Sequence, residues 1–271
     1  MNETWKLTIW GVRGSFPAPD PDFLRYGGNT SCLSLDRGDT LVVLDAGSGL
    51  AALGDRMVRE GRRRVDILLS HLHLDHVMGL FPFAPRYDRR CEIHLYGRPG
   101  FAGELTHLIG SSLWPVDLAD DRAHILFHEV WDGKPFLLAE GAAPGLRVTA
   151  MEGNHPGGCY YYRLEGGGRS LVYALDCELS GDMAPRLTDF ARGTGLLVWD
   201  ASLAAGDRKP GWGHSTWEEG LSLGRAAGAE RVLMTHYARE HTDVFLHSQE
   251  LLAGQADSRC IFAKEGTVIE L

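Results

Sequence analysis

A chain of 271 residues, 44% hydrophobic and 23% charged, can bury a large core and has the balance of an ordinary globular protein. Its formal net charge of −9 argues against a protein that draws its affinity from neutralising many phosphates, so a long nucleic acid is not an expected partner. No break in composition divides residues 1–271, no apolar run approaches bilayer length, and Met1 to Lys6 lack the basic and apolar parts of a signal peptide; one domain, no membrane partner and a cytoplasmic location are expected.

Leu7 to Trp10 reads as a short strand entering a loop broken by Pro17, Pro19 and Pro21, and ordered loops of that length usually serve a site. Thr30 to Leu35 and Thr40 to Leu44 form a hairpin whose second strand is continuously apolar and ends at Asp45-Ala46-Gly47. Leu50, Leu53, Met57 and Val58 have helical spacing, which predicts a helix over Leu50 to Glu60, and Val65 to Leu69 is a buried strand. Arg62, Arg63 and Arg64 close that helix and read as a solvated cap. Val77 to Phe83 is a short helix or turn, Glu92 to Tyr96 a strand, and Phe101 to Ile109 a helix. Up to Pro144 the pattern then weakens, and Leu113-Trp114-Pro115-Val116 is either a pocket wall or a loop packed on the core.

Beyond it, Leu146 to Met151, Tyr160 to Leu164, Arg169 to Leu175, Leu196 to Asp200 and Arg231 to Thr235 are strands, and Ile261 to Ala263 with Val268 to Leu271 finish a sheet. Helices are expected over Ser215 to Ala227, with Ser215 as N-cap and Glu218 three residues on, and over Thr242 to Leu252. Arg169 to Asp176 parallels Thr40 to Asp45, and Leu196 to Asp200 parallels Val65 to Leu69. The expected fold is therefore α/β, a four-layer αββα sandwich of two similar halves, each with its sheet inside and its helices outside.

The strand Val65 to Leu69 delivers Ser70-His71-Leu72-His73-Leu74-Asp75-His76. Three imidazoles and a carboxylate within one turn are costly to hold together without a cation to share their lone pairs, and they are donors that Zn²⁺, Mn²⁺ and Fe²⁺ accept. The five cysteines, Cys32, Cys91, Cys159, Cys177 and Cys260, are odd in number, contain no C-x-x-C pair and read as mostly buried free thiols. Cys177 follows Asp176 as a candidate soft ligand, but alternation along the chain turns it away.

With Asp45-Ala46-Gly47 before it and isolated histidines and an aspartate after it, the motif resembles the metallo-β-lactamase fold superfamily over nearly the whole chain. Gly11-Val12-Arg13-Gly14-Ser15, Arg25 to Cys32 and Gly211-Trp212-Gly213-His214-Ser215-Thr216 resemble its branch of cyclic phosphodiesterases and tRNA 3′-processing endonucleases. The resemblance implies two divalent ions, Zn²⁺ first, with Mn²⁺ or Fe²⁺ accepted by the same donors. His71, His73 and His155 would hold one ion, Asp75, His76 and His236 the other, and Asp176 would bridge them. The last three of these donors to arrive, His155, Asp176 and His236, each follow an expected strand, whose ends converge on one edge of a sandwich.

Such a pair generates hydroxide near neutral pH and neutralises charge on the attacked group, so the expected reaction is hydrolysis. Asp75 would be both ligand and acceptor for the water, and Asp45 would fix an imidazole N–H or the motif loop. His214, behind two glycine positions at a helix start, matches the histidine that stands beside the metals in the resembling phosphodiesterases, where it binds the scissile phosphate or protonates the leaving oxygen. That favours a small phosphodiester or nucleotide, cyclic or open, as the substrate. Arg13, Arg25, Asn29 and Thr30 are candidate phosphate or base contacts, and as glycine-flanked loop residues they are equally candidate fold determinants. His236-Tyr237-Ala238-Arg239 replaces the relatives' H-H-D-P, and His241 is as much a surface residue as a contact. Hydrolysis of a thioester, lactone or lactam by the same metals, and a carrier protein that has lost turnover, are the competing readings; a homodimer is compatible with all of them.

Overall fold

The computed structural model describes residues 4–110, 114–116, 118, 121–138 and 145–271. One sheet is built from β1 (Lys6–Gly11), β2 (Cys32–Arg37), β3 (Thr40–Leu44), β4 (Arg64–Leu68), β5 (Glu92–Gly97), β6 (His124–Glu129) and β14 (Val268–Glu270), in the order β14-β1-β2-β3-β4-β5-β6. The other holds β7 (Pro135–Leu138), β8 (Leu146–Glu152), β9 (Tyr160–Gly166), β10 (Arg169–Ala174), β11 (Leu196–Asp200), β12 (Arg231–Thr235) and β13 (Cys260–Phe262), in the order β13-β12-β11-β10-β9-β8-β7. The helices are α1 (Leu50–Glu60), α2 (Leu74–Val77), α3 (Phe101–Leu108), α4 (Met183–Phe190), α5 (Trp217–Ala227) and α6 (Asp243–Ala256).

The two halves repeat one another strand for strand. β2 and β3 pair antiparallel and β3 to β6 run parallel, just as β9 and β10 pair antiparallel and β10 to β13 run parallel. Side chains alternate across each strand, which explains why β3 reads as continuously apolar. Val42 and Leu44 join the core between the sheets, whereas Leu41 and Val43 face the outer core with Leu50, Leu53 and Met57 of α1. Each of those three helix residues is fully buried, which contributes about 1.5–3 kcal/mol apiece, more than α1 could draw from helix propensity.

Several expectations need correction. The capping box of α5 is Thr216 with Glu219, one residue beyond Ser215 and Glu218, because Thr216 is the residue with the extended backbone of an N-cap, while the Ser215 hydroxyl donates to the Cys177 carbonyl. The arginine run is solvated only in part: Arg63 and Arg64 are exposed, but Arg62 bridges Asp36, and Arg64, already within β4, bridges Asp66 and Glu92. β6, β7 and α4 are not among the expected elements: β6 is an edge strand with both faces partly open to solvent, whereas α4 carries helical spacing in Met183, Leu187 and Phe190 that sequence reasoning missed. Trp114 packs on Phe81 at 4.8 Å against the outer core, while Leu113 lies outside the described residues. All five cysteines are free, as expected. No described helix is long and apolar enough to cross a membrane.

Candidate metal centre

Parallel strands end together, and residues just past their carboxyl ends meet in the crevice there. The leading motif follows β4 and is tied down from both sheets. Tyr162 on β9 donates to the Leu69 carbonyl at 2.7 Å, and the Tyr160 amide donates to the Ser70 carbonyl at 2.9 Å. Asp45, just past β3, takes the Ser70 amide at 2.7 Å, the Ser70 hydroxyl at 2.8 Å, the Tyr173 hydroxyl at 2.7 Å and His76 Nδ1 at 2.7 Å. That bond leaves His76 Nε2 as the donor nitrogen facing the cluster. Asp45 thus touches both the His76 imidazole and the motif loop.

Among the described residues, the non-glycine positions with positive φ are Ser15, Asp45, Asp176 and His236, at 53–62°. Such a backbone costs energy and is found where surrounding structure imposes it, and all four lie at this cluster.

His71, His73 and His155 present nitrogens within 4.8 Å of one another; so do the donor atoms of Asp75, His76 and His236, and those of His71, His76 and Asp176. His155 Nε2 lies 3.1 Å from His73 Nδ1, His76 Nε2 lies 3.2 Å from His236 Nε2, and Asp176 Oδ2 lies 3.0 Å from His76 Nε2 and 3.2 Å from His236 Nε2. Yet His71 Nε2 and Asp176 Oδ2 are buried without hydrogen-bond geometry to any partner. Buried lone pairs converging and unsatisfied are what a divalent cation relieves, and imidazole with carboxylate suits Zn²⁺, Mn²⁺ or Fe²⁺. The residues present therefore fit a metal. Burial, reinforced at His71 by the neighbouring His76, drives the His71 and His155 pKa values down and favours neutral rings, the form in which imidazole can bind a metal. Burial opposes the charge on Asp176, but the His236, His76 and His71 imidazoles hold its carboxyl well below the usual range. No cysteine belongs to any donor group among the described residues, and Cys177 is buried away from the cluster.

His214 sits against the cluster, its ring 5.3 Å from that of His155 and 5.4 Å from that of His236. Its Nδ1 is 2.9 Å from Asp200 Oδ2, and the ring lines a cavity of about 160 Å³ with Leu179, Lys209 and Pro210. Burial lowers the His214 pKa, but Asp200 outweighs it and raises the net value. Asp200 is itself fully buried, accepting the Cys177 amide at 3.1 Å and the Ser202 amide at 2.9 Å. Sequence reasoning missed Asp200 although the signal was present: like Asp45 and Asp176, it closes an apolar strand.

The loop residues expected to touch substrate divide differently. Arg13 is fully buried and donates to the Gly27 and His241 carbonyls, each at 2.7 Å; Asn29 is tied to Glu265 and Ser48; the buried Thr30 hydroxyl accepts the Ser48 amide at 2.8 Å. These three bond mainly to the chain itself, as fold determinants do, although Arg13 Nη2 is buried without a hydrogen-bond partner. Arg25 stays on the surface, over the ring of Tyr26. The same loop reaches the cluster through backbone instead: the Ser15 amide donates to Asp75 Oδ2 at 2.7 Å. His241 stacks on Phe245 and contacts no donor of the cluster, and burial pushes its pKa down to about 4.

Two sheets packed face to face, helices outside, and histidines and aspartates gathered past the strand ends define a hydrolase of the metallo-β-lactamase fold. Residues 40–237 match the beta-lactamase superfamily domain, and the chain belongs to that family. It is similar to the ribonuclease Z of Deinococcus radiodurans, with 26% identity covering 76% of this chain and 85% of the relative. The crystal structure of the metallo-β-lactamase fold protein YhfI from Bacillus subtilis superposes with a TM-score of 0.76 at 22% identity, covering 99% of this chain and 100% of that one. A diphosphatase from the PhnP family superposes with a TM-score of 0.70 at 20% identity, covering 98% of both chains.

Proposed function

We propose that the protein hydrolyses a small phosphodiester at a pair of divalent cations. His71, His73 and His155 would hold one, Asp75, His76 and His236 the other, and Asp176 both. Cations there supply Lewis acidity, which acidifies water and neutralises charge on phosphate oxygens. Asp45 fixes the His76 tautomer and the motif loop. With Asp75 Oδ2 engaged by the Ser15 amide, the remaining carboxylate oxygen accepts a proton from the attacking water and orients it. His214 Nε2 donates a proton to the leaving oxygen, and Asp200 holds the ring and stabilises its charged form.

The observation that carries this reading is the Asp200–His214 pair at 2.9 Å beside the donor cluster. An alkoxide leaves poorly without a proton, so a positioned acid suits a phosphate ester. Relatives named ribonuclease Z and diphosphatase support the same substrate class, and the net charge of −9 favours a small substrate over a long nucleic acid. The test is leaving-group dependence: His214→Ala should lower kcat on an alkyl phosphodiester by about 10²–10⁴-fold and far less on a p-nitrophenyl ester, whose leaving group needs no proton. An equal loss on both would remove the acid role.

A further inference from the structure

The two most exposed aromatic side chains among the described residues, Phe16 at 62% and Trp212 at 60%, both stand next to backbone pinned to the cluster. Phe16 follows Ser15, whose amide is bonded to Asp75, and a tight turn from the Phe16 amide to the Gly14 carbonyl at 2.7 Å throws its side chain outward. Gly14 itself lies against the His236 ring, so this loop flanks the Asp75–His236 side. Trp212 precedes Gly213, whose carbonyl takes His155 Nδ1 at 3.1 Å, so it flanks the opposite, His73–His155 side. Glu178 accepts the Gly211 and Gly213 amides and locks the turn that carries Trp212, while Lys209 Nζ sits 4.6 Å over its ring. Leu74, 52% exposed between His73 and Asp75, continues the apolar rim. Exposed apolar side chains occur elsewhere too, Leu24, Leu137, Trp131 and Val244 among them, but these two aromatics stand at the two ends of one polar cluster, where the planar groups of a substrate can cover them.

We propose that Phe16 and Trp212 are stacking platforms for two planar bases carried on either side of the scissile phosphate. The substrate is then a short single-stranded phosphodiester of dinucleotide type. This rests on the phosphodiesterase reading above and names its substrate class. Stacking tolerates any base, because every base offers a π face, and Lys209 adds a cation at the edge of the Trp212 platform.

The experiment compares adenylyl-(3′,5′)-adenosine with its two analogues lacking one base, using metal-replete protein, and follows both kcat/KM and quenching of tryptophan emission. Loss of either base should lower kcat/KM about tenfold. Trp212→Ala and Phe16→Ala should each cost about tenfold on the intact dinucleotide and little on the analogue that lacks the base stacked there. Trp212→Phe should restore most of the rate while abolishing the quenching. Base-independent kcat/KM with no quenching would overturn the platforms and leave the hydrolysis reading standing. Quenching that Trp212→Phe removes, in a protein that cleaves no phosphodiester, would support the platforms and overturn the hydrolysis reading.

Discussion

Replacing Asp45 by asparagine isolates the carboxylate that holds the leading motif. Asparagine is the informative substitution because Asp45 has φ 58°, a conformation that asparagine tolerates and alanine does not, so backbone strain is not added to the result. Oδ2 takes the His76, Ser70 hydroxyl and Tyr173 donors, and Oδ1 takes the Ser70 amide. The amide side chain does least harm with its oxygen toward the three donors, which aims its NH₂ at the Ser70 N–H. One buried donor is then orphaned, at about 1–3 kcal/mol, and the remaining bonds lose charge assistance, for a total of about 2–4 kcal/mol. Because the same side chain sets the His76 tautomer, metal affinity should fall about 10–100-fold. Urea denaturation of metal-stripped protein reads the first quantity, and competitive Zn²⁺ titration the second. A variant with the wild-type midpoint and the wild-type affinity would refute the role assigned to Asp45.

Asp200→Asn should lower kcat about 10²-fold with little change in KM, since Asp200 acts through the His214 ring rather than on substrate; steady-state kinetics on an alkyl phosphodiester checks the split. Gly14→Ala puts a Cβ 2.5 Å from the His236 ring, and that ring is fully buried, so a loss of about 1–3 kcal/mol in thermal stability and of bound metal is expected, read by calorimetry and elemental analysis. Arg13→Lys should destabilise the fold by about 2–4 kcal/mol through the lost bonds to Gly27 and His241 while leaving KM unchanged, which denaturation and kinetics together would establish. Removing divalent ions with a chelator should abolish turnover, and Zn²⁺ or Mn²⁺ should restore it.

What the sequence made legible was whatever a local pattern controls. The two-sided burial of β3, the helix Leu50–Glu60 and the strand feeding His71 all follow from periodicity, and the duplicated strand-then-aspartate pattern foreshadowed where Asp45 and Asp176 sit. Arg13 was harder to read, because a charged loop residue looks like a substrate contact until its carbonyl partners, supplied by residues far along the chain, are seen. Asp200 ends an apolar strand as Asp45 and Asp176 do, but its role shows only through His214, which meets it once the loop between them has folded back. Thr216 rather than Ser215 is the cap because the extended N-cap backbone falls at Thr216, a one-residue shift that two adjacent hydroxyl residues followed by two glutamates leave open in the sequence. β6 escaped notice because an edge strand needs no strict alternation.

The measurement that bears most directly on the account is divalent metal content per chain, followed equivalent by equivalent alongside phosphodiester turnover. Two bound ions per chain, with turnover rising as the second is added and both lost in Asp176→Ala, is the predicted result. Metal-stripped protein that cleaves phosphodiesters at the full rate, or Asp176→Ala that keeps both ions, would contradict it.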